Sequence, residues 1–284
     1  MTSDLGFFGP DSVTWRLHAD PVVFFVGGLR ALLLQALHPR AIAGVAAHDG
    51  FTTDPWGRLQ RTSEYLGVTT FGTVADAEQA AARIRRIHRS LAAVDPDTGR
   101  VFRLDEPDLL LWVHCAEVDS TLATARLAGV GPNARDADRY VAEQVRSAEL
   151  VGVPADMVPR TAGDLESYLA GMRSTLRLTP AARSAARFVL VPPMPTWVVL
   201  GTPARPAWAG VAGLALGALP GWARRMYWLP GLPTTRFAVA AGLRVLRTTT
   251  ALLPPKLREG PALTDARRRL AATPVRRLQV VPPA

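Results

Sequence analysis

Asp54-Pro-Trp-Gly-Arg-Leu-Gln-Arg-Thr62, the turn Thr69-Thr-Phe-Gly72 and the run ending Arg85-Arg-Ile-His88 are the stretch around which this chain is organised. Two polar clusters flank one turn. Arg58 to Leu66 reads as a short helix on which Arg58, Arg61 and Thr62, at i, i+3 and i+4, share a face. Such a face binds an anion or lines a polar pocket, and it equally describes a solvated basic surface. Asp76 to Ala93 reads as an amphipathic helix with Ala77, Ala80, Ala81, Ile84, Ile87 and Leu91 on its apolar stripe. His88 lies on that side. A histidine there is either a satisfied core residue or a ligand, and its flanking arginines suit an anionic, propionate-bearing cofactor.

The helical period continues in both directions. Upstream, Pro21 to Leu37 is apolar nearly all round, opened by a proline and followed by His38-Pro39, and at this length it reads as a helix through the protein's middle. Arg30 inside it needs a buried anionic partner. Ala41 to His48 is a further, small-residue helix, and residues 6–20 read as an irregular arm with room for one short helix. Downstream, Pro107 to Leu127 is a long buried helix carrying His114 and Glu117 at i, i+3. Arg135 to Val151, a Thr161-Ala-Gly-Asp164 cap before Leu165 to Leu176, and Thr179-Pro180 before Ala181 to Val189 follow. From Val191 the composition turns to Pro, Trp and Gly in short apolar helices, Ala207 to Leu219 among them, ending with Phe237 to Leu253. There is no β-alternation, GxGxxG, P-loop, GxSxG or HExxH motif. The fold class is all-α, with a core over residues 20–190, a Pro/Trp-rich covering part over 191–255 that completes one domain over 1–255, and a Pro/Arg-rich tail over 256–284.

Composition narrows the function classes. At 284 residues with 48% hydrophobic content the chain can bury a large core. Its net charge of +9 is carried by 33 basic residues, of which only Lys256 is lysine, with no run of five like charges and no interleaved aromatics. That argues against a nucleic-acid partner. Cys115, the sole cysteine, has no intrachain partner and sits in an apolar run, as a buried inert thiol does. The N-terminal segment lacks the features of a signal peptide, so a cytoplasmic location is expected. The Trp/Pro segments suit either a cover over a hydrophobic pocket or a peripheral membrane contact.

Gly28-Leu-Arg-Ala-Leu-Leu-Leu-Gln-Ala-Leu-His-Pro39, Asp54 to Thr62, Thr70-Phe-Gly-Thr73, Arg85 to His88 and Leu111-Trp-Val-His-Cys-Ala-Glu-Val-Asp-Ser120 resemble, in order, the DUF2236 or MpaB-like family, the rubber oxygenase catalytic domain. The resemblance covers roughly residues 7–250. It implies a globin-like helical core, haem b, dioxygen as co-substrate and a lipophilic, isoprenoid-class small molecule. By the family's Arg-x-x-His sequence, His88 is the proximal ligand to the haem iron, through Nε2, with Arg85 or Arg58 pairing a propionate. By its Arg-x-x-Lys-Thr face, Arg58, Arg61 and Thr62 form the distal side, where Arg61 or Thr62 would polarise dioxygen. Arg61 stands where the family has lysine, and a guanidinium is a poor iron ligand. The family's upstream catalytic Glu has no counterpart between Thr2 and Gln60. His48 or Asp49 are the only nearby substitutes, and His38, His114 and Glu117 are supporting candidates. Two other readings stay open: a haem-binding sensor, carrier or peroxidase-like protein without oxygenase turnover, and a non-haem di-iron enzyme built on His114 and Glu117.

Overall fold

The computed structural model describes residues 4–48, 54–229 and 231–272. Along the chain run α1 (Val13–His18), α2 (Pro21–Gln35), α3 (Pro39–Ala47), α4 (Pro55–Phe71) and α5 (Val74–Ser90). A two-stranded antiparallel hairpin, β1 (Ala92–Val94) and β2 (Val101–Arg103), follows, with Ala93 opposite Phe102. Then come α6 (Pro107–Leu127), α7 (Ala134–Val151), α8 (Ala162–Met172), α9 (Pro180–Leu190), α10 (Thr196–Gly201) and α11 (Ala204–Gly217). The chain ends in α12 (Gly221–Met226), α13 (Thr235–Ala251), α14 (Pro255–Arg258) and α15 (Pro261–Ala272). The protein is all-α apart from that small hairpin.

Many helix starts follow local chemistry. Asp20 accepts hydrogen bonds from the Val22 and Val23 N–H groups ahead of Pro21. Thr73 with Asp76, and Thr161 with Asp164, form reciprocal capping boxes. Helix α7 stops at Gly152, whose φ of 103° is left-handed and costs glycine nothing.

Helices α2 and α6 pack along each other at the centre, surrounded by α1, α7, α8, α9, α11 and α13. Val23, Leu33 and Leu34 of α2, Leu37 just after it, and Trp112 and Ala116 of α6 lose all contact with solvent. The anionic partner that Arg30 requires is Asp119 of α6, at 2.8 Å. Arg30 also donates to the Ser120 hydroxyl at 2.6 Å and to the Ala218 carbonyl at 2.9 Å, so its charge is met from α6 and from the residue that ends α11.

The structure corrects four sequence readings. Helix α4 runs from Pro55 through Thr69-Thr-Phe, so the turn is displaced to Gly72-Thr73. Burial of Thr69, Thr70 and Phe71 in tertiary contacts carries the helix past its weak β-branched pair. Helix α5 ends at Ser90, where Leu91 turns extended and the chain enters β1. The hairpin itself was not expected, because three-residue strands are too short to display alternation. Finally, the region read as a tail holds α15, which lies on α4 and buries Leu263 and Ala266 against Trp15 and Phe71. Asp49 lies outside the described residues.

Candidate functional site

Helices α4 and α5 form an antiparallel hairpin whose two ends differ. The turn end is anchored. Trp15 and Phe71 meet edge to face at 5.0 Å, α15 covers them, and Gly6, at φ 76°, lies so close to the Gly72 carbonyl that a Cβ would sit 2.2 Å from it. His18, buried on α1, bridges Thr70 Oγ1 through Nδ1 (3.0 Å) and Tyr140 Oη through Nε2 (2.9 Å), and Tyr140 also bonds Thr121. The other end stands off the core. From Ala82 to Ser90 no residue of α5 is buried, nor is any described residue of α4 before Gly67. Arg58 and His88 are there.

His88 is half-buried, and its Nδ1 is shielded from solvent without any hydrogen-bond partner. An orphaned buried polar atom costs about 1–3 kcal/mol and calls for an explanation. Burial lowers the His88 pKa below the ordinary imidazole value, opposed by Asp105 and assisted by Arg58, so the ring is neutral at pH 7 with a free lone pair. Arg58, also half-buried, has its own pKa lowered by burial and then by Arg61.

Helix α6 carries a stripe of mixed character. Leu110, His114, Glu117 and Thr121 recur at helical spacing, and Leu110, His114 and Thr121 are buried. Burial pushes the Glu117 carboxyl up to about 7 and holds His114 down at about 4. Yet Glu117 keeps some accessible surface. Tyr65 of α4 feels the same carboxylate: burial raises its phenol first, Glu117 raises it further, and Arg85 opposes. Helices α4, α5, α6 and α7 therefore direct Tyr65, Arg85, Glu117 and Tyr140 toward one region.

The expected residues, Arg85 included, are otherwise engaged in contacts of their own. Arg61 points outward, bonding Asp54 at 2.9 Å with both side chains about 60% exposed. Thr62 donates its only hydroxyl proton to the Arg58 carbonyl at 2.9 Å, so it meets any ligand as an acceptor. Arg85 donates to the Leu150 carbonyl at 2.6 Å and ties α5 to the end of α7. His38 caps α3 through Nδ1 and lies 5.9 Å from the Trp112 ring, and burial lowers it to about 4. His48 is exposed and contacts the Ala92 carbonyl. Sequence reasoning singled out neither His18 nor Tyr65. For Tyr65 the signal was available, since it falls at i+3 from Thr62 and i+7 from Arg58.

Beside Arg58 lies a recess enclosing about 40 Å³, walled by Leu29 and Leu32 of α2, Leu59 and Thr62 of α4, and Phe188 of α9. Trp56 and Trp208 close it. No single described helix is long and apolar enough to cross a membrane.

Comparison with known proteins gives one finding. The family described as ER-bound oxygenase mpaB/B'/Rubber oxygenase, catalytic domain, matches residues 15–248, which include every site residue above. No curated protein and no solved structure matches the chain.

Proposed function

Since the chain belongs to the ER-bound oxygenase mpaB/B'/rubber oxygenase catalytic-domain family, we propose that it is a haem b-dependent oxygenase using dioxygen on a hydrophobic, isoprenoid-class small molecule. Family membership gives oxygenase chemistry in general. The haem and the substrate class are our reading, and the observation that carries it is an unpaired, buried ring nitrogen on His88 beside Arg58, at Nδ1 rather than at the expected Nε2.

The donor set fits this cofactor. A bare metal ion takes three or four protein ligands, and among the described residues no three of His, Cys, Asp and Glu converge. The di-iron reading on His114 and Glu117 thus lacks further ligands there. A haem carries four nitrogen donors of its own and would need one further base from the protein, which the His88 imidazole would supply. When bound, it provides the dioxygen chemistry that protein side chains lack.

The chain's own residues then have distinct tasks. His88, kept neutral by burial, offers a lone pair at a ring nitrogen. Arg58 places a cation beside it for a propionate or a polarised oxygen, and Thr62 offers an acceptor at the lip of the recess. Arg61, bonded to Asp54, is not in this role. Glu117, near half-protonated at neutral pH, can hold or release a proton at its carboxyl, and it stands in for the glutamate missing upstream. Leu29, Leu32 and Leu59 exclude water from the recess.

The second reading, a haem-binding protein without turnover, is favoured by that missing glutamate. Protein expressed with haem precursor should give about one haem b per chain by pyridine haemochrome assay, and should transfer label from ¹⁸O₂ to an isoprenoid substrate. Stoichiometric haem without label in any product selects the second reading. Folded protein that takes up no haem sinks both.

A further inference from the structure

The chain's positive charge is unevenly placed. From Ser167 to Arg258 there are twelve Arg and Lys residues and no Asp or Glu. This stretch alone therefore exceeds the whole net charge of +9, and acids outnumber bases in the rest. It also holds most of the large apolar side chains that stay exposed among the described residues, Trp197, Leu200, Trp228, Leu232, Phe237 and Leu252 among them. Single exposed apolar residues are ordinary, whereas their concentration in one cationic part without carboxylates marks a surface that meets something.

Helices α11 and α13 gather these residues. Both lean on α2, so the sides turned away from it look out to solvent together. The pair is antiparallel: a Cβ at Gly217 would meet Val239, and one at Gly242 would meet Leu214. Trp228, Leu232 and Phe237 thus stand at one end of the pair. Trp197, Leu200 and Leu252 stand at the other, about 20 Å away along α11. Between them α13 turns Ala241, Val245 and Thr248 outward, opposite buried Val239 and Leu243, and α11 exposes only small residues such as Ala209 and Gly213. Arg236 and Arg244 run along one edge of the α13 stripe. Among the described residues no carboxylate pairs with them, nor with Arg205 or Arg225. Asp20, the acid that reaches this side from the start of α2, is neutralised by Arg247 at 2.6 Å. Trp228 is the one described non-glycine residue with a left-handed φ, 61°, and it is held there because its N–H and that of Leu229 close the end of α12 onto the Arg225 and Arg224 carbonyls.

We propose that the α11–α13 face, with α10 and the Trp228 turn at its ends, docks flat on a lipid surface bearing anionic headgroups. Tryptophan, phenylalanine and leucine side chains enter the headgroup boundary, and the unpaired arginines meet the lipid phosphates. A second copy of the chain suits the face less well, because a two-fold contact would set the same cations against each other with no carboxylate between them. The proposal is independent of the haem and oxygenase reading. Its test floats the full chain with large unilamellar vesicles of phosphatidylcholine containing about 30% phosphatidylglycerol, and with phosphatidylcholine alone. Binding at least ten-fold tighter to the anionic vesicles is expected, and high salt should weaken it. Trp228→Asn with Phe237→Ser should weaken binding at least ten-fold, asparagine being tolerant of the left-handed turn. Arg236→Glu with Arg244→Glu should remove the preference for anionic vesicles. All four positions are exposed, so melting curves should not change. Arg83→Glu with Arg100→Glu, exposed on α5 and the β1–β2 hairpin, makes the same change in net charge and should leave binding within two-fold. Equal losses from the two arginine pairs would make net charge the cause and overturn the proposal, as would protein that floats with neither vesicle. Self-association abolished by Trp228→Asn with Phe237→Ser, in protein that binds no vesicle, would give the face to a second copy and overturn it too.

Discussion

Glu117 occupies a position on α6 where helical spacing asks for an apolar residue, and the cost of that choice is measurable. Its carboxyl is raised from 4.5 to about 7 by burial. A raised acid binds its proton more tightly in the folded chain. Its contribution is therefore fully present below pH 4.5 and lost as pH rises through about 7, a difference of about 3 kcal/mol at most. His18, His38 and His114, each lowered to about 4 by burial, act oppositely and destabilise the fold as pH falls from 6.5 toward 4. Glu117→Gln should thus raise stability at pH 8 by up to about 3 kcal/mol and steepen its decline from pH 7 to 4.5. Urea unfolding across pH checks this, and a parallel shift at all pH values would contradict it. The two arginines of α4 offer a sharper contrast. Arg58→Ala should weaken haem retention by about ten-fold or more, the size of one charge-assisted hydrogen bond. Arg61→Ala should leave it within two-fold, since it loses only an exposed pair with Asp54. Haem transfer to apomyoglobin measures both, and equal effects would restore Arg61 to the site. The i, i+3, i+4 spacing could not separate them, because Asp54 captures Arg61 from just before the helix.

The α4–α5 hairpin shows what an element's environment adds to its sequence. Capping signals were legible: Asp20-Pro21, Thr161 to Asp164 and Thr179-Pro180 all start helices as read. The requirement of a partner for Arg30 was legible too, from the cost of burying a lone guanidinium. The length of α4 was not. Its last turn is held by Trp15 and by α15, residues 40 or more positions away in the chain, which no local window contains. The same cover hid α15 itself, whose Leu263 and Ala266 look like ordinary apolar residues in an Arg-rich stretch. Leu263→Ala should cost about 2–4 kcal/mol, as for a buried leucine. Limited proteolysis should then cut near Gly72 and Thr73 first. Cleavage confined to residues beyond 250 would mean that α15 does not anchor the turn.

At the scale of the molecule, a tight α2–α6 centre carries a hairpin anchored at its turn end and unburied at the other, where Arg58 and His88 lie beside each other. The all-α class followed from helical periodicity along nearly the whole chain. The lack of burial at the far end of the hairpin did not, because it is a property of packing between helices and leaves no period in any of them. His88 would be the residue that holds the haem, and the absorption spectrum of haem-loaded His88→Gly with and without added imidazole tests this. The account predicts a Soret band weakened or displaced by the substitution and restored toward wild type by imidazole, which re-enters the vacated space. A His88→Gly spectrum identical to wild type, unmoved by imidazole, would contradict it and place the iron elsewhere.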